Sequence, residues 1–335
     1  MEKKAVNDLN ILAEDVLKLY GILPKSITVI QGGTIKTVWK IETKDGYLCL
    51  KRLKQAYDRA LFSVHAQIYI KNKGGNVPGI ILNKQGSPIS IYDDQLFVVY
   101  EWLEGKSLDF NDNNDLVPSI TGLAGFHINS RGYSAPSDSK VSSKLGRWPS
   151  QYNSMKLRLL ELKETAKKSS SQPQFTSYLA SVNPMIDLCD LAIYMIGNSP
   201  YESLCSSPDI PVLCHQDYGK GNALSTSNGV IVLDLDGVTF DLPARDLRKI
   251  IGKRSQSKNI WDTASIKKVL DAYSDINPLS PEEKEVLYID LVFPHWFFGL
   301  VKNMSQPGKI IKASEIEAVA RLEQSKTAVL GMFKY

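Results

Sequence analysis

Ile11, Leu12, Val16, Leu17 and Tyr20 recur at helical spacing, and Gly21 and Pro24 end the helix they predict. Short apolar runs follow. Residues 27–30 and 38–42 are strand candidates separated by a Gly32-Gly33-Thr34 turn. Asp45-Gly46 makes a hairpin-type turn into a third strand that ends at Leu50-Lys51. A helical stretch near 60–71 closes at Gly74-Gly75, and two more strands are expected around 80–82 and 95–100. Beyond Gly105 helical periodicity dominates, at 116–128, 155–168, 175–196, 265–273, 282–303 and 313–332. Pro184 is expected to kink or split the third of these. One strand pair interrupts the helical part, at 223–226 and 230–233. The pattern predicts an α+β chain: a small β-rich lobe over 1–100, a hinge at 101–105 and a larger helical lobe over 106–335.

Composition narrows the class without naming a function. The chain has 335 residues, 43% hydrophobic and 23% charged, which excludes disordered, collagen-like and disulfide-stapled proteins. Forty basic against 36 acidic residues leave a charge of only +4, which does not predict a nucleic-acid partner. Cys49, Cys189, Cys205 and Cys214 contain no CxxC pair, so reduced thiols are expected. The first eight residues carry no apolar signal core, and the apolar stretch 291–301 is short for a membrane span. A soluble chain, cytoplasmic when synthesised and without a membrane partner, is the expectation.

The candidate chemistry concentrates in His215-Gln216-Asp217-Tyr218-Gly219-Lys220-Gly221-Asn222. Asn228-Gly229 fits a two-residue hairpin turn with positive φ at both positions. A hairpin returns its ends to strands about 5 Å apart. Asn222, before the first strand, and Asp234, after the second, therefore converge on one cation. An amide oxygen with a carboxylate suits Mg²⁺, which keeps waters and takes phosphate oxygens as further ligands. Asp217 then stands beside a transferring phosphoryl group, where it orients or deprotonates an attacking hydroxyl. Lys51 is placed to pair with nucleotide phosphates. The Gly32-Gly33-Thr34 turn offers backbone N–H groups to cover them.

Together these features resemble the aminoglycoside phosphotransferase and choline kinase-like superfamily. The resemblance takes in the glycine turn, Leu50-Lys51, Tyr100-Glu101-Trp102-Leu103-Glu104-Gly105, Leu123-Ala124-Gly125-Phe126-His127, the HQDYGKGN segment and Leu233-Asp234-Leu235-Asp236. Within it the chain looks most like the spore coat protein S family of Bacillus-type spore formers. That likeness rests on Cys214 to Asn222, Asp234-Leu235-Asp236-Gly237-Val238, Asp241-Leu242-Pro243-Ala244-Arg245-Asp246-Leu247, Leu145-Gly146-Arg147-Trp148-Pro149 and Phe293-Pro294-His295-Trp296-Phe297. It implies a protein kinase-like bilobal fold, with Asp217 as catalytic aspartate, Asn222 and Asp234 as Mg²⁺ ligands and Lys51 at the ATP phosphates. Asp236 is a second metal ligand or a neighbour. In function it implies an ATP- and Mg²⁺-dependent phosphotransferase acting on a hydroxyl of a small molecule or saccharide. It also implies a place in the spore coat, with other coat proteins as partners. One departure stands out: no glutamate lies between Lys51 and Gly74 to pair with the lysine, and Asp58, His65 and Gln67 are the nearby alternatives.

That departure supports a second expectation, a coat structural or binding protein that keeps the kinase fold with little or no activity. Bland readings apply elsewhere. His127 and His215 are expected to brace the scaffold by hydrogen bonds, and Arg245-Asp246 to pair beneath the site. His295-Trp296-Phe297-Phe298 is expected in the core, with a substrate role for Trp296 the lesser alternative. Arg245, Arg248, Lys249, Lys253 and Arg254 read as a solvated face, with attraction of a phosphorylated or acidic polymer as the alternative.

Overall fold

The computed structural model describes residues 2–32, 37–169 and 171–331. It opens with α1 (Glu2–Tyr20), followed by β1 (Ser26–Gln31), β2 (Thr37–Thr43) and β3 (Gly46–Leu53). Next come α2 (Tyr57–Asn72), β4 (Ile80–Ile81), β5 (Ser90–Tyr92) and β6 (Gln95–Glu101). These strands form one antiparallel sheet of order β1-β2-β3-β6-β4, with β5 also on β6. Side chains alternate across a strand, so the sheet has two apolar faces. Trp39, Ile41, Leu50, Phe97 and Val99 pack on Ala13, Val16 and Leu17 of α1. Leu53, Val98 and Tyr100 pack on Ala60 and Val64 of α2. Lys51 is one residue from Leu50 and therefore points away from α1.

The helical lobe contains β7 (Lys106–Ser107), α3 (Asn113–Ser130), α4 (Trp148–Lys168), α5 (Pro173–Gly197) and α6 (Tyr201–Ser206). It continues through β8 (Val212–Cys214), β9 (Ala223–Thr226), β10 (Gly229–Val232), a 3₁₀ turn (Leu235–Gly237) and β11 (Thr239–Asp241). Five helices complete it: α7 (Ala244–Lys258), α8 (Thr263–Ser274), α9 (Pro281–Val292), α10 (His295–Val301) and α11 (Ala313–Leu330). Their apolar faces share one continuous core. By length and composition alone α5 is apolar enough to cross a membrane. Here it packs against α4, α9 and α11 and buries Phe175, Tyr178, Met185 and Leu188. It is a core helix.

Three expectations change. The stretch 282–303 is two helices, because Pro294 has no N–H to donate and Phe293 before it is extended (φ −60°, ψ 135°). By contrast Pro184 does not split α5, which runs unbroken across it. The β9–β10 turn centres on Ser227-Asn228, since Thr226 pairs with Gly229, and Gly229 alone of Asn228-Gly229 has positive φ (103°). The Thr226 hydroxyl accepts from Asn228 N and donates to Gly229 O, tightening the turn. Thr43 and Gly46 repeat that arrangement between β2 and β3.

Candidate active site

The site is built where the two lobes face each other. A cleft of about 370 Å³ is lined from the sheet by Val38, Cys49, Lys51 and Tyr100, and from the other lobe by Asn222, Leu224, Asp234 and Leu235. Trp102 and Leu103, in the connection between lobes, close one end. The apolar walls suit a flat aromatic ring, and the charged end suits phosphates.

Lys51 resolves the question left by the missing glutamate. Its ammonium donates to Asp234 Oδ1 and Asp236 Oδ1, both at 2.7 Å. The anionic partners thus come from the far lobe, not from the helix after the lysine. In that helix, Gln67 lines the same cleft and donates through Nε2 to Pro78 O at 2.7 Å. Burial alone would lower the Lys51 pKa; the carboxylates of Asp236 and Asp234 more than offset this and hold it above its ordinary value. Burial pushes the neighbouring Cys49 thiol up to about 11, which keeps it protonated.

The hairpin does bring Asn222 and Asp234 together. Leu233 N donates to Asn222 O at 3.0 Å, so the two side chains leave from adjacent ends of β9 and β10. Asn222 Nδ2 donates to Asp217 O at 2.9 Å, which turns its amide oxygen the other way. Asp234 adopts a left-handed conformation (φ 59°, ψ 63°), which aspartate tolerates better than most residues. This bend directs its carboxylate to Lys51. Asp217 is 83% exposed on the loop between β8 and β9, with Lys253 Nζ 4.0 Å from its Oδ1. Gly32 is exposed after β1 and has no positive φ; a Cβ there would make only ordinary contact with Val29 at 3.6 Å. Gly33 and Thr34 lie outside the described residues.

Beneath this loop is a buried brace. His215 Nε2 lies 2.7 Å from Leu233 O, and a carbonyl only accepts, so Nε2 carries the proton. Nδ1 is then free to accept from Asp217 N at 3.3 Å. Burial lowers the His215 pKa, in keeping with this neutral tautomer. Asp246, on the first turn of α7, accepts from His215 N at 2.5 Å, from Gln216 N at 3.0 Å and lies 3.3 Å from His127 Nε2. His127 Nδ1 meets Tyr273 Oη at 2.7 Å. Cys214 comes close enough to His127 and Asp246 for a shared ion, but its thiol donates to Leu242 O. All three groups are committed to internal hydrogen bonds, so the cluster is structural.

Two expectations for α7 are corrected. Arg245 pairs with Asp241 at 3.1 Å, while Asp246 takes the bonds just described. The basic residues are also not a solvated face. Arg248 is buried against Asp290 at 3.0 Å, Arg254 donates to Phe110 O, and Lys249 donates to Gln216 O. Only Lys253 of the five is exposed to water by more than half. Of the aromatic cluster, Phe297 is fully buried and Trp296 lines a second cleft next to Asp217.

Comparison with known proteins gives the family. The family described as "Spore coat putative kinase YutH" matches residues 14–328. The chain belongs to this family. It is also 26% identical over 293 residues to Spore coat protein S of Bacillus subtilis (strain 168), spanning 86% of this chain and 83% of that protein. The expected relationship to spore coat kinase-like proteins is therefore met. Among solved structures, the aminoglycoside phosphotransferase of Alicyclobacillus acidocaldarius matches 94% of this chain and 93% of its own (TM-score 0.75, 16% identity). The amicoumacin kinase hAmiN matches 99% of both chains (TM-score 0.65, 14% identity). At such identities these likenesses show the fold, and that fold is the kinase-like bilobal one.

Proposed function

We propose that the chain is an ATP- and Mg²⁺-dependent phosphotransferase that modifies a hydroxyl of a small molecule or saccharide in the spore coat. The carrying observation is that Lys51, Asn222 and Asp234 line one interlobe cleft, with Asp236 also bonded to Lys51 and with Asp217 exposed on the loop whose carbonyl Asn222 holds. In this reading residues 1–100 hold the nucleotide, 101–105 connect the lobes, and 106–335 carry the catalytic residues and the acceptor. The chain is made in the cytoplasm and joins other coat proteins. The structurally similar amicoumacin kinase was solved with AMP-PNP and Ca²⁺, which fits a nucleotide and a divalent cation in such a cleft.

The donor set fits Mg²⁺: two carboxylates and an amide oxygen are hard oxygen ligands. Asn222 and Asp234 would hold the ion, which when bound neutralises charge on the phosphate oxygens. The protein's own residues do the rest. Lys51 moves from a purely internal pairing to sharing its three donors with phosphate oxygens. Gly32, Gly33 and Thr34 cover the phosphates, and the apolar walls beside Trp102 and Leu103 hold the adenine. Asp217 orients the acceptor hydroxyl and takes its proton on a carboxylate oxygen as the phosphoryl group leaves ADP. The loop keeps that geometry because His215 and Asp246 fix its backbone.

The test uses the intact protein. ATP with Mg²⁺ at about a hundred times its Kd stabilises a binder by about 2.7 kcal/mol, a rise of several degrees in Tm. Asp217→Ala is expected to keep that rise and lose ADP release with acceptor. No rise with or without metal would favour the inactive coat scaffold; undiminished turnover in the variant would remove Asp217 from the chemistry.

A further inference from the structure

Beside Asp217 lies a cleft of about 540 Å³, lined among others by Gln216, Asp217, Arg248, Lys249, Lys253 and Trp296. Asp217 is the one acidic residue in that lining. We propose that the acceptor is an anionic sugar, a ring hydroxyl compound bearing a carboxylate or phosphate, and not a cationic aminoglycoside or amino alcohol. This rests on the phosphotransferase reading and names its substrate class.

Charge carries the first half of the argument. Arg248 is matched by Asp290 and Lys249 is tied to Gln216 O beside Asp246, but the exposed Lys253 faces the cleft with no carboxylate in its lining except Asp217. Asp217 has to hold the acceptor hydroxyl, so it is not available to bind an ammonium group. A cation seated there would also lie near Lys253, whose ammonium is 4.0 Å from Asp217 Oδ1. Like charges that close repel, which disfavours a cationic acceptor there. An anionic substituent reverses the sign and gains the Lys253 ammonium as a donor, with the Lys249 charge behind it. His295 adds no competing charge of its own: burial and Arg248 push its pKa down to about 4, and it is held on Asp290 at 2.6 Å.

Shape carries the second half. A Cβ on Gly252 would come within 2.3 Å of the Trp296 ring, so the indole occupies the space a side chain would fill on α7. Arg248 lies 5.6 Å from the ring centroid and fixes it further. The indole is left lining the cleft as an aromatic surface against which a sugar ring can stack.

Calorimetry on the full chain, with ADP release measured in parallel, tests the proposal with glucuronate, glucose 6-phosphate, glucose, kanamycin and choline. At least one of the two anionic sugars is expected to bind ten or more times tighter than glucose, and which one does distinguishes carboxylate from phosphate. Lys253→Glu is expected to weaken that binding at least tenfold and glucose by less than twofold. Equal binding of glucose, tighter binding of kanamycin or choline, no binding across the panel, or an indifferent Lys253→Glu would each overturn the proposal. Turnover of choline or kanamycin would overturn it while upholding the phosphotransferase. Selective anionic binding without ADP release would uphold it and sink the phosphotransferase reading.

Discussion

Asp246 shows how one side chain sets the geometry of a neighbouring loop. Burial alone would raise its pKa, but the hydrogen bond with His127 and nearby positive charge, Lys249 included, bring it down to about 2. A carboxyl depressed from its ordinary 3.8 stabilises the fold above pH ~4, and that contribution is lost as the pH falls through about 2. The magnitude is about 2 kcal/mol. Asp246→Asn is expected to lower stability by about this much at pH 7, with the gap to the parent narrowing by pH 2.5; urea melts at the two pH values measure it. Asp241 behaves oppositely, since burial raises its pKa to about 6 and its contribution disappears as the pH rises through 6. It is common to both proteins and cancels in the comparison. A gap independent of pH would assign Asp246 a role in packing alone.

At the scale of elements, α7 is the instructive case. Its buried face carries Leu247, Ile250 and Ile251 but also Asp246, Arg248, Arg254 and Ser255. A search for apolar periodicity passes over such a helix, because its buried polar residues are paired by partners far away in the chain. The helices α3, α5, α8 and α11 were legible within a few residues, whereas α4 begins seven residues before the expected 155. Also legible were β1, β2, β3, β6 and the β9–β10 hairpin. Two-residue β4 was met by the strand expected around 80–82, whereas the short strands β5, β7, β8 and β11 were not, since two or three residues give little alternation to read. Gly252 on α7 yields a prediction. Alanine there gains about 1 kcal/mol of helix propensity. Overpacking against an indole at 2.3 Å costs about 1–3 kcal/mol. Gly252→Ala is therefore expected to be less stable by about 1 kcal/mol in urea denaturation, and a more stable variant would show that Trp296 swings aside freely.

Across the whole molecule, the Lys51 pairing ties the sheet to the helical lobe, because the lysine and its two aspartates are 183 and 185 residues apart. Removing a buried cation leaves its carboxylates mutually repelling. Asp234 and Asp236 are each about three-tenths exposed, so water screens part of that cost. Lys51→Met is expected to destabilise the protein by about 2 kcal/mol in urea melts and to abolish the Tm rise with ATP and Mg²⁺. A variant that melts earlier yet keeps the full nucleotide response would confine Lys51 to the interlobe contact.

Local order was enough to set out much of this protein from sequence. Periodicity separated a β-rich beginning from a helical remainder, and the spacing of Asp217, Asn222 and Asp234 around a short hairpin brought the last two together, because a hairpin is a local structure. Long-range pairings were decided only in three dimensions. No rule of spacing joins Lys51 to Asp236, Arg245 to Asp241, or Asp246 to the backbone of His215. Nor does any rule turn a run of basic residues into one wall of a cleft with Trp296. Those partners meet because the packed lobes exclude water, and a buried charge must then find its counterpart wherever the fold has brought one.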